Sequence, residues 1–542
     1  MDKVKNIVKN INAFWTTERV QTTLNIVLIA FYFIISLFLL DKYQYQINPD
    51  GISYISIAQK CIKGDFYNAV SSHWGPLISW FTIPFLLLKI SPIIAIKTVL
   101  LIAGFVTLIG LKNIAKEFNL SNKLTFFILI TSMFYITFYA SSVITPDILL
   151  TCFLMLYLSI IFKQDYLESK YYGILCGVFG GLAYLSKAFG LPFFILHFVL
   201  FSLISYLRAK ESEYKRKALK NFFLGMLTFI LLSGIWVSAI SIKYKELTFG
   251  SSGKTAYQLF SPQQKGNYPM FYVGLLPPSD KNAYSVWDDP TLLNMKNWNS
   301  LDSKKSVEYE KNLLVKNIRT MFTIYKSFSN FFLVIVFLSI ILFIRDLFKK
   351  KKINYQILYC LITFILYSLG YIQFPVEARH LAFNNLLLII MGFLLLSNIF
   401  AQTRTFVVPT YFLSIILSLS FIKSPLQEVI NYGNTTNPDY YCYSIAQMFK
   451  KHNIKGNIAS SSEWNGSYYV VYHLNSKYYG IPQKSPKERE LIQELIKNNI
   501  NYYIVWNNEQ DEYSLKSLKK VSIPEIPFIN VYNVTRNLDR KK

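Results

Sequence analysis

Two aspartates stand at the ends of apolar runs. Asp50 lies in Asn48-Pro49-Asp50-Gly51-Ile52-Ser53-Tyr54, and Asp147 lies in Thr145-Pro146-Asp147-Ile148. A carboxylate at the water boundary of an apolar chain is costly unless it has a partner or a task. Against apolar walls its pKa can rise, which suits taking a proton from a hydroxyl. Three basic residues have comparable settings: Lys187 in Ser186-Lys187-Ala188-Phe189-Gly190, and Arg379 and His380 in the short polar segment 373–380. Such cations can hold an anion, and the planar fork of arginine suits phosphate. Tyr54, His73 and Trp74 would add aromatic faces and a polar edge to such a site.

Each residue also has a plainer reading. Asp50 and Asp147 follow proline and could cap helices. Lys187 could snorkel to an interface, and Arg379 could pair with Glu377 on an exposed loop. Tyrosine and tryptophan populate membrane interfaces for solvation alone. His197, inside an apolar run, reads as a packing residue.

The elements that must position these groups are apolar. The 542 residues are 52% hydrophobic, 17% aromatic and 16% charged, with a mean hydropathy of +0.30. Apolar runs fall near 22–41, 92–111, 124–142, 148–163, 171–186, 188–207, 222–242, 328–346, 353–371, 382–400 and 404–422. This gives about eleven segments near the ~20 residues that cross a bilayer. The run 74–90 holds Pro76 and Pro84 and reads as a re-entrant helix. No cleavable signal peptide is expected, because the first run is too long and lacks a small-residue cleavage site. The formal net charge of +25 does not mark a nucleic-acid binder, since the basic clusters sit beside apolar runs. Basic residues retained in the cytoplasm account for them. The five cysteines form no CxxC pair and no metal spacing, so neither a disulfide framework nor a metal site is expected.

Charge placement also sets orientation. With the N-terminus (Lys3, Lys5, Lys9, Arg19) in the cytoplasm and 74–90 re-entrant, Lys112, Lys116, Lys123, Lys170, the 208–220 cluster, Arg345, Lys349 to Lys352 and Arg404 all fall inside. Asp50, Asp147, Lys187, Arg379 and His380 then share the outer face. Outer loops are expected at 42–91, 243–327 and 372–381. Ile52, Ile55, Ala58 and Ile62 mark an amphipathic helix lying in the interface. The loop 243–327, with Trp287 and Trp298, is too long for a simple connector.

A membrane module over 1–422 is therefore expected, followed by a small soluble extracytoplasmic α/β domain over 423–542. In the latter, Ser444 to His452 and Pro486 to Asn498 read as helices. Asn457 to Ser460, Tyr468 to Tyr472 and Tyr502 to Trp506 read as strands of a mixed or parallel sheet.

These placements resemble the GT-C-type membrane glycosyltransferases, similar to the lipid A aminoarabinose transferases and protein O-mannosyltransferases. The resemblance covers roughly 20–400. It rests on Asp50 to Tyr54 as Asp-x-x-x-Tyr, His73-Trp74-Gly75-Pro76, Asp147, Ser186 to Gly190 as a Lys-x-x-Gly-like element, and Arg379 or His380. Gly51 stands where many relatives have a second acid, which weighs against a two-carboxylate or metal-bridging role. The family fold implies an α-helical polytopic membrane protein of the plasma membrane, in contact with membrane lipids. The implied activity is an inverting hexosyl or pentosyl transfer from a polyprenyl-phosphate sugar donor to a lipid, glycan or protein acceptor. In that reading Asp50 is the general base, Asp147 assists, and Lys187, Arg379 and His380 bind the donor phosphate. Tyr54, His73 and Trp74 contact sugar or acceptor. No cofactor is implied, although a divalent cation could bridge phosphate and Asp50. The rival reading is a polytopic transporter or lipid flippase without group transfer; such proteins usually carry midplane charges and related halves, and neither is evident here.

Overall fold

The computed structural model describes residues 17–293, 295–348, 355–400, 407–434, 437–483, 487–506 and 515–534. Lys3, Lys5, Lys9, Lys349 to Lys352, Arg404 and Pro486 lie outside these residues. The chain builds a helical bundle from α1 (Glu18–Lys42), α2 (Pro49–Ile62), α3 (Leu77–Leu87), α4 (Pro92–Glu117), α5 (Asn122–Ser142), α6 (Asp147–Ile161), α7 (Lys170–Ser186), α8 (Gly190–Arg208) and α9 (Ser212–Tyr244). A long loop follows as far as Ser303, shorter than the 243–327 expected: residues 304–327 are helical, because their apolar residues recur at helical spacing behind a Ser303 cap. The bundle then resumes with α10 (Lys304–Phe328), α11 (Phe332–Phe348), α12 (Tyr355–Tyr371), α13 (Ala382–Phe400) and α14 (Val407–Asn434).

A helix corresponds to each of the eleven expected apolar runs. By length and composition alone, seven helices among the described residues could cross a membrane, or eight if α10 and α11 count as one span bent by 102°. The helices α3, α6 and α12 are apolar but shorter. At 1.5 Å per residue α3 extends only about 16 Å, roughly half the hydrocarbon thickness. Its N-terminus abuts α7, where a Cβ on Gly75 would lie 2.2 Å from the Ser186 carbonyl oxygen. The next helix begins on the same side, since Lys97 Nζ donates to the Tyr43 carbonyl at the end of α1 (2.5 Å). That geometry agrees with the re-entrant reading of 74–90.

The end of the bundle away from Asp50 gathers basic residues. Lys112 meets Asn25, Lys163 pairs with Glu117, and Lys217 pairs with Glu168 and Glu213.

Other expectations also need correction. The helix α2 does not lie with an apolar face against lipid. Ile52, Ile55 and Ala58 are fully buried, because α3, α4 and the Val286–Asp288 turn of the long loop pack around them, and of the expected stripe only Ile62 stays exposed. Even Lys60 is only 2% exposed, held by Asp280 at 2.7 Å and Asp288 at 3.7 Å. Tyr468 to Tyr472, expected as a strand, belongs instead to the helix α16 (Trp464–His473). Its tyrosines and valines suit a strand by residue type, but Tyr468 and Tyr472 stand at helical i, i+4 spacing and tertiary packing chose the helix.

The remaining C-terminal elements are α15 (Pro438–Lys451), α17 (Glu488–Lys497) and the strands β1 (Asn457–Ser460), β2 (Lys477–Tyr478), β3 (Tyr502–Trp506), β4 (Lys519–Val521) and β5 (Ile529–Asn533). The sheet order is β2-β1-β3-β5-β4. β1 pairs in parallel with β2 and β3, while β5 runs antiparallel to β3 and β4. The helix α14 runs on to Asn434, so the boundary expected at 422 falls within it. The sheet docks on the long loop: Tyr478 N–H donates to the Tyr284 carbonyl and Leu276 N–H to the Tyr479 carbonyl, each at 2.8 Å. One apolar core joins bundle, loop and sheet, from Tyr32 to Val531.

Candidate active site

Asp50 occupies the first turn of α2, where Asn48 is the cap residue. Its carboxylate therefore faces tertiary partners. Arg379 Nη1 donates to Oδ2 at 2.9 Å, and Trp287 Nε1 donates to Oδ1 at 3.2 Å. The plainer reading of Arg379 holds as well, for its Nε donates to Glu377 Oε2 at 2.8 Å. One guanidinium thus bridges two carboxylates.

The neighbouring position explains the missing second acid. A Cβ on Gly51 would lie 2.9 Å from Ile144 Cβ and 3.1 Å from Asn48 Oδ1. Asn48 in turn is fixed against Ile144, accepting from its N–H at 3.1 Å. There is no room for a side chain at 51.

A second acid–base pair sits beside the first. Asp147 opens α6 and accepts from Lys187 Nζ at 2.6 Å. The Asp147 side chain is 5% exposed and Lys187 23%; Asp147 Oδ2 has no partner among the described residues. Lys187 also lies 5.5 Å above the Tyr371 ring. That ring stacks on Phe189 and on His380, with centroids 4.1 and 5.1 Å away. The His380 Nδ1 accepts from Glu377 N–H at 3.3 Å, which ties it into the turn that presents Arg379.

His73 and Trp74 form an edge-to-face pair at 4.4 Å, and Trp74 packs on Tyr54 and Trp287. Trp74 Nε1 donates to the Asp288 carbonyl at 3.1 Å. Burial pushes the His73 imidazole down to about 4, against the opposing pull of Asp50 and Asp289. At neutral pH it is therefore uncharged. Asp288, buried against Lys60, is pushed up by desolvation.

All eight residues singled out in the sequence line one cavity of about 800 Å³: Asp50, Tyr54, His73, Trp74, Asp147, Lys187, Arg379 and His380. From this polar head the cavity continues between α8 and α12 as an apolar trough lined by Leu191, Phe193, Leu196, Leu366 and Leu369. Leu196 and Leu369 are more than half exposed on the flank of the bundle. His197 stands apart, fully buried between Tyr157 and Thr363, as a packing residue should. Among the described residues no group of three or more His, Cys, Asp and Glu is gathered.

Two further cavity residues, Trp287 and Tyr371, were less legible in the chain. Trp287 appeared only as one aromatic of a long loop, and Tyr371 as the end of an apolar run. A side chain that reaches its partner across 237 positions leaves no local signal.

Residues 73–236 match the family model for dolichyl-phosphate-mannose-protein mannosyltransferase. No curated protein matches the sequence significantly. Among solved structures, ArnT from Cupriavidus metallidurans bound to undecaprenyl phosphate superposes with a TM-score of 0.56 at 11% identity, over 95% of this chain and 98% of that one. The Archaeoglobus fulgidus oligosaccharyltransferase tethered to an acceptor peptide superposes with a TM-score of 0.50 at 10% identity, over 90% and 69%. The same archaeal enzyme, AglB, in complex with an inhibitory peptide and a dolichol-phosphate, also gives 0.50 at 10% identity, over 88% and 69%. The chain thus has a fold similar to that of the GT-C-type membrane glycosyltransferases.

Proposed function

We propose that the chain transfers a hexosyl or pentosyl group from a polyprenyl-phosphate donor to an acceptor at the outer face of a plasma membrane. The observation that carries this is the single cavity with two acid–base pairs at its head and an apolar trough running to the bundle flank. A polyprenyl chain fits an apolar trough open to lipid, and its phosphate fits cations at the inner end. The relatives captured with undecaprenyl phosphate and dolichol-phosphate support that donor class. The basic end opposite Asp50 supports the orientation, with the N-terminus cytoplasmic and the C-terminal sheet outside.

In this reading the phosphate settles between Lys187 and Arg379, with His380 beside them. Its charge competes with Asp50 for the guanidinium. Released from that pair, the Asp50 carboxylate takes the proton of the acceptor nucleophile, held in place by the Trp287 N–H. The nucleophile bonds to the anomeric carbon from the side opposite the phosphate, so configuration inverts. The C–O bond to phosphate breaks, and the electron pair leaves on the lipid phosphate. Lys187 and Arg379 stabilise that developing charge. Asp147 keeps Lys187 charged and aimed, and Tyr54, His73 and Trp74 wall the sugar.

The test is mass spectrometry of glycolipids and glycoproteins from a deletion strain complemented with the wild-type chain. Loss and return of one sugar-bearing species supports the reading. Movement of a lipid across sealed vesicles with no covalent change would instead establish a transporter.

A further inference from the structure

A second cavity, of about 370 Å³, lies across the Glu377–Arg379 pair from the first. It is walled by the ends of α5, α10 and α14, with Tyr135, Tyr139, Phe328, Asn385 and Glu428 in its lining. Glu377 and Arg379 line both cavities, whereas Asp50 lines only the larger one. The guanidinium is thus a partition, held on one side by Asp50 and on the other by Glu377. Nothing in the donor reading occupies the far side.

Three features describe what would fit there. The volume falls within the range of small-ligand sites. The walls combine aromatic faces with a buried amide: Asn385 is 1% exposed and donates to Tyr135 Oη at 2.9 Å, while its Oδ1 has no partner among the described residues. A hydroxyl donor would remove the cost of that unpaired oxygen. Apart from Arg379 and the tyrosines, the ionisable lining groups are Glu377 and Glu428, both carboxylates, with Glu428 exposed at the rim. With the Arg379 charge already taken up by Asp50 and Glu377, or by the donor phosphate, an anionic group entering there would meet like charge; an uncharged polyol would not.

We infer that this second cavity receives the acceptor, and that the acceptor presents an uncharged, hydroxyl-bearing carbohydrate head group. The inference rests on the donor reading above. When the donor phosphate draws Arg379 away from Asp50, the partition opens and the acceptor hydroxyl reaches the carboxylate. The new O–C bond forms at the anomeric carbon, the proton passes to Asp50, and the old C–O electron pair leaves with the phosphate.

The experiment uses the full chain in lipid nanodiscs and a diazirine-bearing octyl β-glucoside, with cross-linked peptides read by mass spectrometry. Labelling is expected on α5 and α14 near Tyr139 and Glu428. Octyl β-glucoside should compete about tenfold better than octyl phosphate, the equivalent of one lost polar contact. Ser142→Trp, which fills the cavity, should lower labelling about tenfold while undecaprenyl phosphate still binds. Glu428→Lys, an exposed change that spares the fold, should bring octyl phosphate close to octyl β-glucoside as a competitor. Equal competition by the two probes in the unchanged protein overturns the inference, as does labelling indifferent to both substitutions. Failure of undecaprenyl phosphate to bind would overturn the donor reading instead, and is scored separately.

Discussion

Replacing Asp50 by Asn separates chemistry from architecture. The amide keeps one oxygen, which can accept from the Trp287 N–H or from Arg379 but not from both as the two carboxylate oxygens do, and it loses the charge and the basicity. Both partners are about one-fifth exposed, at 20% and 21%, and Arg379 retains Glu377. The stability cost should therefore stay near that of a solvent-screened pair, about 1 kcal/mol. A general base contributes roughly 10²–10⁴ in rate, or about 3–5 kcal/mol of barrier. The catalytic loss should thus exceed the folding loss several-fold. The assay is the initial rate of sugar transfer in membranes of the deletion strain carrying each variant, normalised to the amount of folded protein. Glu377→Gln is the control: it alters the same arginine but leaves the base, and should cost less than about tenfold. If Asp50→Asn folds and transfers sugar within about tenfold of wild type, Asp50 is not the base, and the reasoning from its position fails.

The other expectations concern positioning groups. Lys187→Met strands the buried Asp147 carboxylate and should cost about 3–5 kcal/mol; thermal unfolding in detergent should show most of it restored by adding Asp147→Asn, and an unshifted single variant refutes the pairing. Lys60→Met leaves Asp280 and Asp288 without their buried cation and should destabilise by a similar amount, with faster proteolysis of the loop 243–327; undiminished protection counts against that loop as a clamp on α2. Leu369→Arg, placed in the apolar trough, should raise the KM of long-chain polyprenyl donors while sparing short-chain ones; equal effects on both would remove the trough from the donor site. His73, pushed down to about 4 from its ordinary 6.5, binds fewer protons folded than unfolded between those values. Stability should fall as pH drops through that window, and His73→Gln should flatten the fall in a pH series of unfolding midpoints.

Local sequence marked the eleven apolar runs and eight of the residues that line the larger cavity. The reason is energetic: charge is so costly at an apolar boundary that Asp50, Asp147, Lys187 and Arg379 stand out without any knowledge of their partners. Hydropathy is a local property, and so the spans are legible. Pairing is not local. Which cation faces which carboxylate, the use of Trp287 as a donor to Asp50, and the crowding that keeps Gly51 bare all depend on chain segments far apart in sequence. The same holds for α2, whose helical spacing was readable although its burial under a distant loop was not. For Tyr468 to Tyr472, aromatic residues suit a strand and a buried helix alike, and contact with Trp464, Tyr478 and Asp288 settled the matter. Solvation cost is written residue by residue along the chain; the close fit of one segment against another exists only once the chain has folded.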